Sequence, residues 1–529
     1  MSELIDIFPD KGSYLIGDPV RLNATVDGPA DGVLECRIFH LAVEVACLSA
    51  PITAQGTART VVLEWLPPHV ASRGYGVQAE LMDASGGVTA AGSTAFDVLL
   101  DWTAYPRYGF LSDFSPKRTD VVATIRELTR FHINGLQFYD WQYRHDNPLP
   151  PTDVFLDPLD RRLSLITVKG LLDEAHLRGI ASMAYVAVYA ASMELWREEP
   201  DWALYDEHGE PIVFDGGFLG LMDPTQGTPW ADHLQRRCDE ILAALPFDGI
   251  HIDQYGEPRT AFNRDGDPVD LPTAFSDFVS DLRKRHPDAP ITFNAVKNWP
   301  IDSLVTSPMD FVYIELWPDT PTYGEIGEIV ERVHADSGYK PVVIALYIPA
   351  GRESNIRLAD ALIIAHGGSR IEIGEEGRLL SDPYFPLHEA LPSSLHDVLR
   401  RYGDFRVRYG EFLGPTARPS QSRIQAPDGV CVVARDVPGW TVINLVNMSD
   451  ITETRWDEVH TAPSSLTNVL FDVHTESEVR RVWFASPDGE DLCLQTADWS
   501  VDDGTVRMAV PSIEYWTMVA IEFKPGKDN

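Results

Sequence analysis

The stretch D-G-I-H-I-D-Q-Y-G, residues 248–256, alternates two isoleucines with a histidine and an aspartate. In an extended strand, Ile250 and Ile252 would face one side, and His251 and Asp253 the other. A carboxylate in a buried parallel strand is costly unless it ends the strand or has a function. Asp253 stands at the end of the stretch, so we predict a catalytic carboxylate at the C-terminal mouth of a β/α barrel.

The segment from Tyr105 to Tyr409 repeats a pattern of apolar strand, loop and amphipathic helix. G-I-H-I-D is the fourth of eight predicted strands; the others are R-Y-G-F-L, G-L-Q-F-Y, A-S-M-A-Y-V-A-V, I-T-F-N-A, F-V-Y-I-E-L, V-V-I-A-L-Y and R-I-E-I-G. The predicted helices include residues 120–131, 168–178, 228–244, 272–286, 323–336 and 354–366. Eight strands with helices between them predict a TIM-type (β/α)8 barrel. An open doubly wound sheet is the alternative, although no Gly-rich phosphate loop follows the first strand.

Short alternating strands with turns between them occupy both ends of the chain. They predict an N-terminal immunoglobulin-like β-sandwich over residues 1–102 and a second β-sandwich over residues 411–529. The fold class is therefore a multidomain chain whose central (β/α)8 TIM-type barrel, residues 103–410, lies between two β-sandwiches.

The formal net charge of −37 argues against nucleic acid and anionic membranes as partners, because both would repel the chain. A neutral substrate fits better. The acidic composition is compatible with salt adaptation or with GC-rich coding bias. Five cysteines without C-x-x-C spacing predict free thiols rather than a disulfide framework.

The first residues, M-S-E-L-I-D-I-F-P-D, contain neither a basic nor an apolar signal region, and no run is long enough to span a membrane. We therefore expect a cytoplasmic protein, with secretion left open if the sequence belongs to a longer chain. The motifs H-E-x-x-H, H-x-H, G-x-S-x-G and an EF-hand loop are absent from the sequence. We expect no metal and no cofactor; the oligomeric state stays open.

Polar residues stand at the end of most predicted strands, where a barrel gathers its reacting groups. We predict substrate contacts from Gln137, Tyr139, Asp140, Trp141, His145, His251, Gln254, Asn294, Trp317, Tyr347 and Glu372. The loops at 140–163 and 190–228 are rich in Trp, Tyr, Pro, Asp and His, a composition typical of a sugar-binding cleft.

Asp253 and Glu315 form the predicted catalytic pair. Phe311, Tyr313 and Glu315 share one face of the sixth strand, so Glu315 points into the same mouth as Asp253. Alternate strands feed the same layer of a barrel interior, and glycoside hydrolysis needs two such carboxyl groups. The alternative is that Glu315 forms an ion pair with an arginine at the barrel rim.

Six tryptophans fall in or beside the predicted C-terminal loops: Trp141, Trp196, Trp202, Trp230, Trp299 and Trp317. Aromatic faces pack well on the apolar faces of pyranose rings, although a single tryptophan at such a position is more often a core or loop-filling residue. Trp317 is the strongest candidate because it lies two residues beyond Glu315. His251 is compatible with sugar binding or with a satisfied core histidine.

Three longer motifs occur in order: G-L-Q-F-Y-D-W-Q-Y-R-H-D at 135–146, F-D-G-I-H-I-D-Q-Y-G at 247–256 and Y-I-E-L-W at 313–317. Together they resemble glycoside hydrolase family 66, which holds endo-dextranases and cycloisomaltooligosaccharide glucanotransferases acting on α-1,6-linked glucans. The resemblance implies the three-domain layout with a C-terminal Greek-key sandwich, and a carbohydrate partner. It implies Asp253 as nucleophile and Glu315 as general acid/base of a retaining mechanism, and residues 137–145 on the non-reducing side of the cleft.

The resemblance also implies that Asp253 is ionised while Glu315 carries the proton before reaction. Glucanotransferases of the family carry a large carbohydrate-binding insertion in the barrel. Here a single predicted helix joins the seventh and eighth strands, which favours hydrolysis over cyclisation. Family dextranases are typically secreted, so the expected cytoplasmic location favours imported isomaltooligosaccharides or another glycan. Linear transglycosylation and a non-catalytic carbohydrate-binding barrel are the alternatives.

Overall fold

The structure is a computed structural model that describes residues 3–28, 31–53, 57–70, 72–320 and 322–525. In this part the chain is multidomain and mostly β, with ten α-helices. A ten-stranded sheet occupies the middle of the sequence, and smaller sheets precede and follow it. None of the described helices is long and apolar enough to cross a membrane.

The N-terminal region contains a three-stranded and a five-stranded sheet that enclose a hydrophobic cluster of their own. The first holds Glu3–Pro9, Val20–Asp27 and Arg59–Trp65; the second holds Tyr14–Leu15, Gly32–His40, Val43–Ile52, Arg73–Asp83 and Val88–Leu99. The cluster forms because alternate residues of each strand point inward. In Val20–Asp27 these are Val20, Leu22, Ala24 and Val26, which are all buried.

The central sheet contains eight parallel strands in chain order. They are β1 (Tyr108–Leu111), β2 (Gly135–Phe138), β3 (Ala181–Ala187), β4 (Gly249–Asp253), β5 (Ile291–Val296), β6 (Val312–Leu316), β7 (Val342–Leu346) and β8 (Ser369–Ile371, continued by Ile373–Gly374). Gly374 pairs with Phe110 of β1, so the last strand returns to the first and the sheet fits a curled barrel. Arg378–Leu379 adds a short antiparallel strand to β8.

All eight predicted strands and the six predicted helices occur at their predicted places. The helices are α1 (Val121–Arg130), α2 (Leu165–Leu177), α3 (Met193–Glu198), α4 (Pro229–Ala244), α5 (Leu271–Arg285), α6 (Ile301–Leu304), α7 (Tyr323–Ser337), α8 (Glu353–Ala365), α9 (Ser393–Arg408) and α10 (Gly410–Leu413). Short 3-10 turns lie at Trp102–Ala104, Pro200–Trp202, Glu375–Gly377 and Phe385–Leu387.

The helix ends follow local sequence signals. Thr322 and Glu325 form a capping box at the start of α7, and Gly338 ends that helix in the left-handed conformation. Thr228 caps the start of α4, whose first residue is Pro229.

The two long loops predicted after β2 and β3 carry small sheets of their own. The first contains the hairpin Val154–Leu156 and Arg162–Ser164. The second contains a three-stranded sheet of Ala190–Ala191, Val213–Phe214 and Leu219–Leu221. A third hairpin, Ala261–Phe262 with Pro268–Val269, follows β4. All three follow the C-terminal ends of central strands, where the predicted site lies.

The C-terminal region contains a six-stranded and a four-stranded sheet. Its strands are Arg418–Pro419, Arg423–Gln425, Val430–Val437, Trp440–Asn447, Leu466–His474, Val479–Ala485, Gln495–Thr496, Asp498–Asp502, Thr505–Ile513 and Trp516–Phe523. Inward-facing residues of both sheets, including Leu445, Phe471 and Ile521, form another hydrophobic cluster.

A buried arginine joins the N-terminal sheets to the central sheet. Arg107 directly precedes β1, and its guanidinium makes two hydrogen bonds to the Asp97 carboxylate, of 2.7 and 3.0 Å. It also donates to the carbonyls of His132 and Gly12, at 2.6 and 2.9 Å. Because Arg107 and Asp97 are both only 2% exposed, each charge depends on the other for compensation.

We expect the Asp97→Ala variant to lower the free energy of unfolding by roughly 3–5 kcal/mol, because it leaves the Arg107 charge buried and unpaired. Urea unfolding followed by circular dichroism measures the effect. The double variant Asp97→Leu/Arg107→Met removes both charges and is expected to unfold closer to wild type. A single variant as stable as wild type would contradict the role assigned to this pair.

Candidate active site

Two carboxylates meet at the C-terminal ends of the central strands β4 and β6, which lie on either side of β5. Asp253 ends β4, Glu315 lies near the end of β6, and Asn294 stands on the intervening β5. The Asn294 Nδ2 atom donates to Asp253 Oδ1 at 2.8 Å and to Glu315 Oε2 at 2.7 Å. One amide group therefore holds both carboxylates of the predicted pair in one site.

Each carboxylate also has partners of its own. The Tyr185 hydroxyl, on β3, donates to Asp253 Oδ2 at 2.8 Å, and the backbone N–H of Gln254 donates to Asp253 Oδ1 at 2.9 Å. The Trp317 indole Nε1 donates to Glu315 Oε1 at 2.7 Å. The Tyr347 hydroxyl is also hydrogen-bonded to Glu315. Such contacts fix the orientation of both groups.

Both carboxyl groups resist ionisation. Burial, followed by the negative charge of Glu315, raises the pKa of Asp253 to about 7. Burial also raises the pKa of Glu315, against the hydrogen bonds from Asn294 and Trp317. The pair as a unit therefore holds a proton up to about neutral pH. Asp253 is thus not simply the ionised partner that the resemblance implies, because burial and the Glu315 charge both favour its neutral form.

A cleft of about 670 Å³ contains this pair. Of the residues predicted to bind substrate, Gln137, Tyr139, Asp140, His145, Gln254, Asn294 and Trp317 line it. Sequence reasoning missed Arg161, Tyr185, Phe214, Phe218, Tyr255, Tyr384 and Phe385, which also line the cleft. The aromatic content of the loops after β2 and β3 was the available signal, but it did not single out these residues.

Asp140 and His145 stand at the β2 side of the cleft. Asp140 adopts a left-handed backbone conformation, with φ of 54°, and forms a 3.3 Å ion pair with Arg161. Burial raises the pKa of Asp140 to about 6, although Arg161 opposes this shift. Burial lowers the pKa of His145 to about 4, so its imidazole is neutral at physiological pH.

Gln254 lines the cleft but uses its side chain to brace the backbone. Its Nε2 atom donates to the carbonyls of Asn294 and Trp299, at 3.3 and 3.1 Å, and its Oε1 atom accepts from the Gly256 N–H. These contacts position the Asp253 loop against β5. Gln254 therefore acts as a positioning residue in this structure rather than as a free sugar-binding group.

His251 does not reach the cleft, which corrects the prediction of a substrate contact. It is fully buried, its Nδ1 atom lies 3.2 Å from the Tyr108 hydroxyl, and its ring packs edge-on against Tyr313. Burial lowers the pKa of His251 to about 3. The alternation of β4 puts His251 on the side of Asp253 but two residues deeper, in a layer of interior side chains.

Glu372, Trp141 and Tyr347 also lie outside the cleft lining. Glu372 forms an ion pair with Arg370, away from the cleft, because the neighbouring Ile371 is the residue that joins the interior cluster with Tyr313. Trp141 is fully buried against Phe247, with 4.9 Å between ring centroids. Tyr347 touches Glu315 but lines an adjacent cavity. Of the six tryptophans considered, Trp317 alone appears in the cleft lining within the described part of the chain.

Metal binding needs several His, Cys, Asp or Glu side chains close together. Among the described residues there is no group of three or more His, Cys, Asp or Glu side chains arranged to hold a metal ion. The chemistry available from these residues is proton transfer and nucleophilic attack by the two carboxyl groups.

One known protein family matches nearly the whole chain. The sequence model of Glycosyl hydrolase family 66 matches residues 9–520. The chain belongs to this family. The family resemblance of the three motifs is thereby confirmed.

Individual relatives agree with this assignment. One cycloisomaltooligosaccharide glucanotransferase of Niallia circulans is 31% identical over 65% of this chain and 38% of its own length. A second one is 22% identical over 97% of this chain and 72% of its own length. A dextranase of Streptococcus salivarius is 24% identical over 76% of this chain and 59% of its own. Two of these three matches thus span less than two thirds of the relative's length.

Solved structures agree on the fold. The structure of a cycloisomaltooligosaccharide glucanotransferase from Paenibacillus sp., complexed with cycloisomaltoheptaose, has a TM-score of 0.91 at 22% identity. The alignment covers 98% of this chain and 100% of that one. A maltogenic α-amylase from Thermotoga neapolitana has a TM-score of 0.53 at 11% identity, covering 79% of this chain and 99% of that one.

We expect Asp253→Asn to raise the thermal midpoint of unfolding at pH 8 and to change it little at pH 4. A carboxyl whose pKa is raised on folding stabilises the folded state below its unfolded pKa, near 4. That contribution is lost as the pH rises through about 7, where the buried charge forms. Differential scanning fluorimetry across this range measures the effect. Asp265→Asn, at an exposed position, is the control; equal shifts for both variants would contradict the expectation.

Proposed function

We propose that this chain is a retaining glycoside hydrolase that cleaves α-1,6-linked glucan, either dextran or isomaltooligosaccharides. Asp253 is the nucleophile and Glu315 the general acid/base. The observation that carries the proposal is the Asn294 amide group, which hydrogen-bonds to both carboxylates at once.

The separation of the carboxylates supports retention. Because both accept from the same nitrogen, their bonded oxygens cannot lie farther apart than the two hydrogen bonds, of 2.8 and 2.7 Å, placed end to end. Retaining glycosidases hold their carboxyl groups about 5–5.5 Å apart, whereas inverting enzymes need about 6.5–9.5 Å to admit a water molecule. The shared amide therefore favours direct attack by Asp253.

The reaction runs in two displacements. In the first, an Asp253 oxygen bonds to the anomeric carbon, the bond from that carbon to the glycosidic oxygen breaks, and Glu315 gives its proton to the leaving oxygen. In the second, water bonds to the same carbon, gives a proton to Glu315, and the bond to Asp253 breaks. The proton shared by the pair must reside on Glu315 at the moment of attack, so substrate binding has to favour that arrangement over the neutral form of Asp253.

Several observations support a glucan as the substrate. The cleft is lined by Tyr139, Phe214, Trp317 and other aromatic side chains that suit pyranose rings. The net charge of −37 is compatible with a neutral ligand. The dextranase and cycloisomaltooligosaccharide glucanotransferases among the relatives point to the α-1,6 linkage.

The same proposal includes the finer architecture. A (β/α)8 barrel over residues 103–410 would place the cleft at the C-terminal ends of its strands, as in other enzymes of that fold. Immunoglobulin-like and Greek-key β-sandwiches over residues 1–102 and 411–529 would flank it. The return of β8 to β1 and the separate hydrophobic clusters of the two end regions support this division.

Transglycosylation on the same substrates is the second candidate, because two of the relatives are glucanotransferases. One feature favours hydrolysis over cyclisation. The alignment to one glucanotransferase spans 698 positions, more than the 529 residues of this chain, so that relative carries insertions that this chain lacks. Between β7 and β8 the chain has only α8 and short loops.

We expect Asp253→Asn to lower turnover of an aryl α-isomaltoside by roughly 10⁴-fold or more, because the covalent intermediate no longer forms. Release of the aryl group measures the rate, and circular dichroism verifies folding. Asp265→Asn serves as the matched control. Near-wild-type turnover in the Asp253 variant would contradict its role as nucleophile.

We expect Glu315→Gln to cleave a substrate with a good leaving group slowly and to regain part of its rate in sodium azide. The small anion attacks the glycosyl-enzyme without needing a general base, and the product is then a glycosyl azide of retained configuration. Proton NMR identifies this product. Asp253→Asn gives no such rescue if the roles are assigned correctly, and rescue of neither variant would argue against Glu315 as acid/base.

A further inference from the structure

A segment of the C-terminal region lies against the loop that follows Glu315. Residues 454–460, here called the linking segment, belong to a connection between the two sheets of that region. Arg455 forms an antiparallel β-bridge with Thr322, the residue that caps α7. The N–H of Tyr323 also donates to the first carbonyl of the segment, at 3.0 Å. The linking segment therefore fixes the end of this loop.

The start of the same loop is fixed by Trp456. Its side chain is only 3% exposed, and its indole Nε1 donates to the Thr320 carbonyl at 2.6 Å. The Thr320 N–H in turn donates to the Trp317 carbonyl at 2.8 Å, which closes a tight turn. Pro318 and Asp319 in this turn are exposed, so the turn has little packing of its own. The Trp456 indole therefore ties the turn to the protein interior.

Trp317 connects this turn to the proposed general acid/base. Its indole donates to Glu315 Oε1 at 2.7 Å, and the Lys297 ammonium lies 5.1 Å from the centroid of its ring. Both contacts depend on where the backbone of the turn places the ring. A series of hydrogen bonds from Trp456 through Thr320 and Trp317 therefore reaches the carboxyl group that transfers the proton.

The linking segment is itself held by buried hydrogen bonds. Asn355, on α8, is fully buried; it donates to the Trp456 carbonyl at 2.8 Å and accepts from the His460 N–H at 3.1 Å. Arg352, directly before α8, donates to the Asp457 carbonyl. Because the indole donor is fixed in this way, the turn after β6 takes its position from α8 and the C-terminal region.

We propose that Trp456 is a positioning residue for the general acid/base, supplied by the C-terminal region. It acts through the turn, which keeps the Trp317 indole on Glu315 and directs the acid toward the glycosidic oxygen. Proton transfer is sensitive to such placement, because a misplacement of about 1 Å can cost on the order of 100-fold in rate. The inference rests on the proposed function, which assigns the proton transfer to Glu315.

The test varies the leaving group while keeping its size nearly constant. The phenol of a 4-methylphenyl α-isomaltoside needs a proton to leave, whereas that of the 4-nitrophenyl α-isomaltoside leaves readily without one. Trp456→Phe keeps an aromatic ring and removes the donor to Thr320. We expect kcat/KM to fall roughly tenfold for the 4-methylphenyl substrate and to stay within about twofold of wild type for the 4-nitrophenyl substrate.

The pH dependence of kcat/KM is a second measurement. Burial raises the pKa of Glu315, and the hydrogen bonds from Asn294 and Trp317 oppose that shift. Loosening Trp317 therefore raises this pKa further, and the alkaline limb, where the acid loses its proton, moves to higher pH. The charged and titratable groups that face Glu315, all unchanged in Trp456→Phe, include Asp253, Lys297, Tyr139, Tyr313 and Tyr347.

Trp483→Phe is the matched control, because the Trp483 indole donates at 3.4 Å to Glu522 within the C-terminal sheet; it is expected to keep wild-type rates. In Trp456→Phe, equal losses on both substrates, or wild-type rates on both, would overturn the positioning role. Partial unfolding lowers both rates alike, so their ratio decides even for a less stable variant. A wild-type protein that cleaves neither substrate would instead contradict the proposed function.

Discussion

The side-chain amide of Asn294 keeps the buried Glu315 carboxylate and the partly buried Asp253 carboxylate close together, and the rest of the site depends on this contact. Asp253 and Glu315 would repel each other when ionised, and burial adds to that cost. One donor directed at both offsets part of the repulsion. The amide can reach both groups only because β5 lies between β4 and β6 and the three strands run parallel.

The regions that flank the central sheet contact it through buried polar groups rather than through apolar surfaces alone. Arg107 and Asp97 join the N-terminal sheets to the start of β1. Asn355 and Trp456 join the C-terminal region to α8 and to the loop after Glu315. Buried polar groups stabilise one geometry strongly because any misplacement leaves them unpaired. The C-terminal region therefore fixes the loop after Glu315, whereas the N-terminal contact lies at the start of β1, at the other end of the strand from the cleft.

The strand pattern was predictable because it depends on local chemistry. Strands β1 to β8 are short apolar runs, buried on both faces as parallel strands require, and helices such as α4 and α7 begin at capping residues. The carboxylates interrupt that apolar pattern at strand ends, which is why Asp253 and Glu315 were recognisable. Which of the two carries the proton was not predictable, because it depends on burial and on the repulsion between their charges.

The sequence by itself determined the order of the eight central strands and of six of the ten described helices, the family and the two carboxylates. Only the tertiary structure decided how deep each side chain lies in the interior and which residues it contacts. Period-two alternation tells which side of a strand a residue faces but not which layer it occupies, so His251 proved too deep. Glu372 faced away because Ile371 took the interior position. Tyr185 became a neighbour of Asp253, and Trp456 a neighbour of Thr320, through folding. Contacts between residues distant in the chain leave no periodic signal.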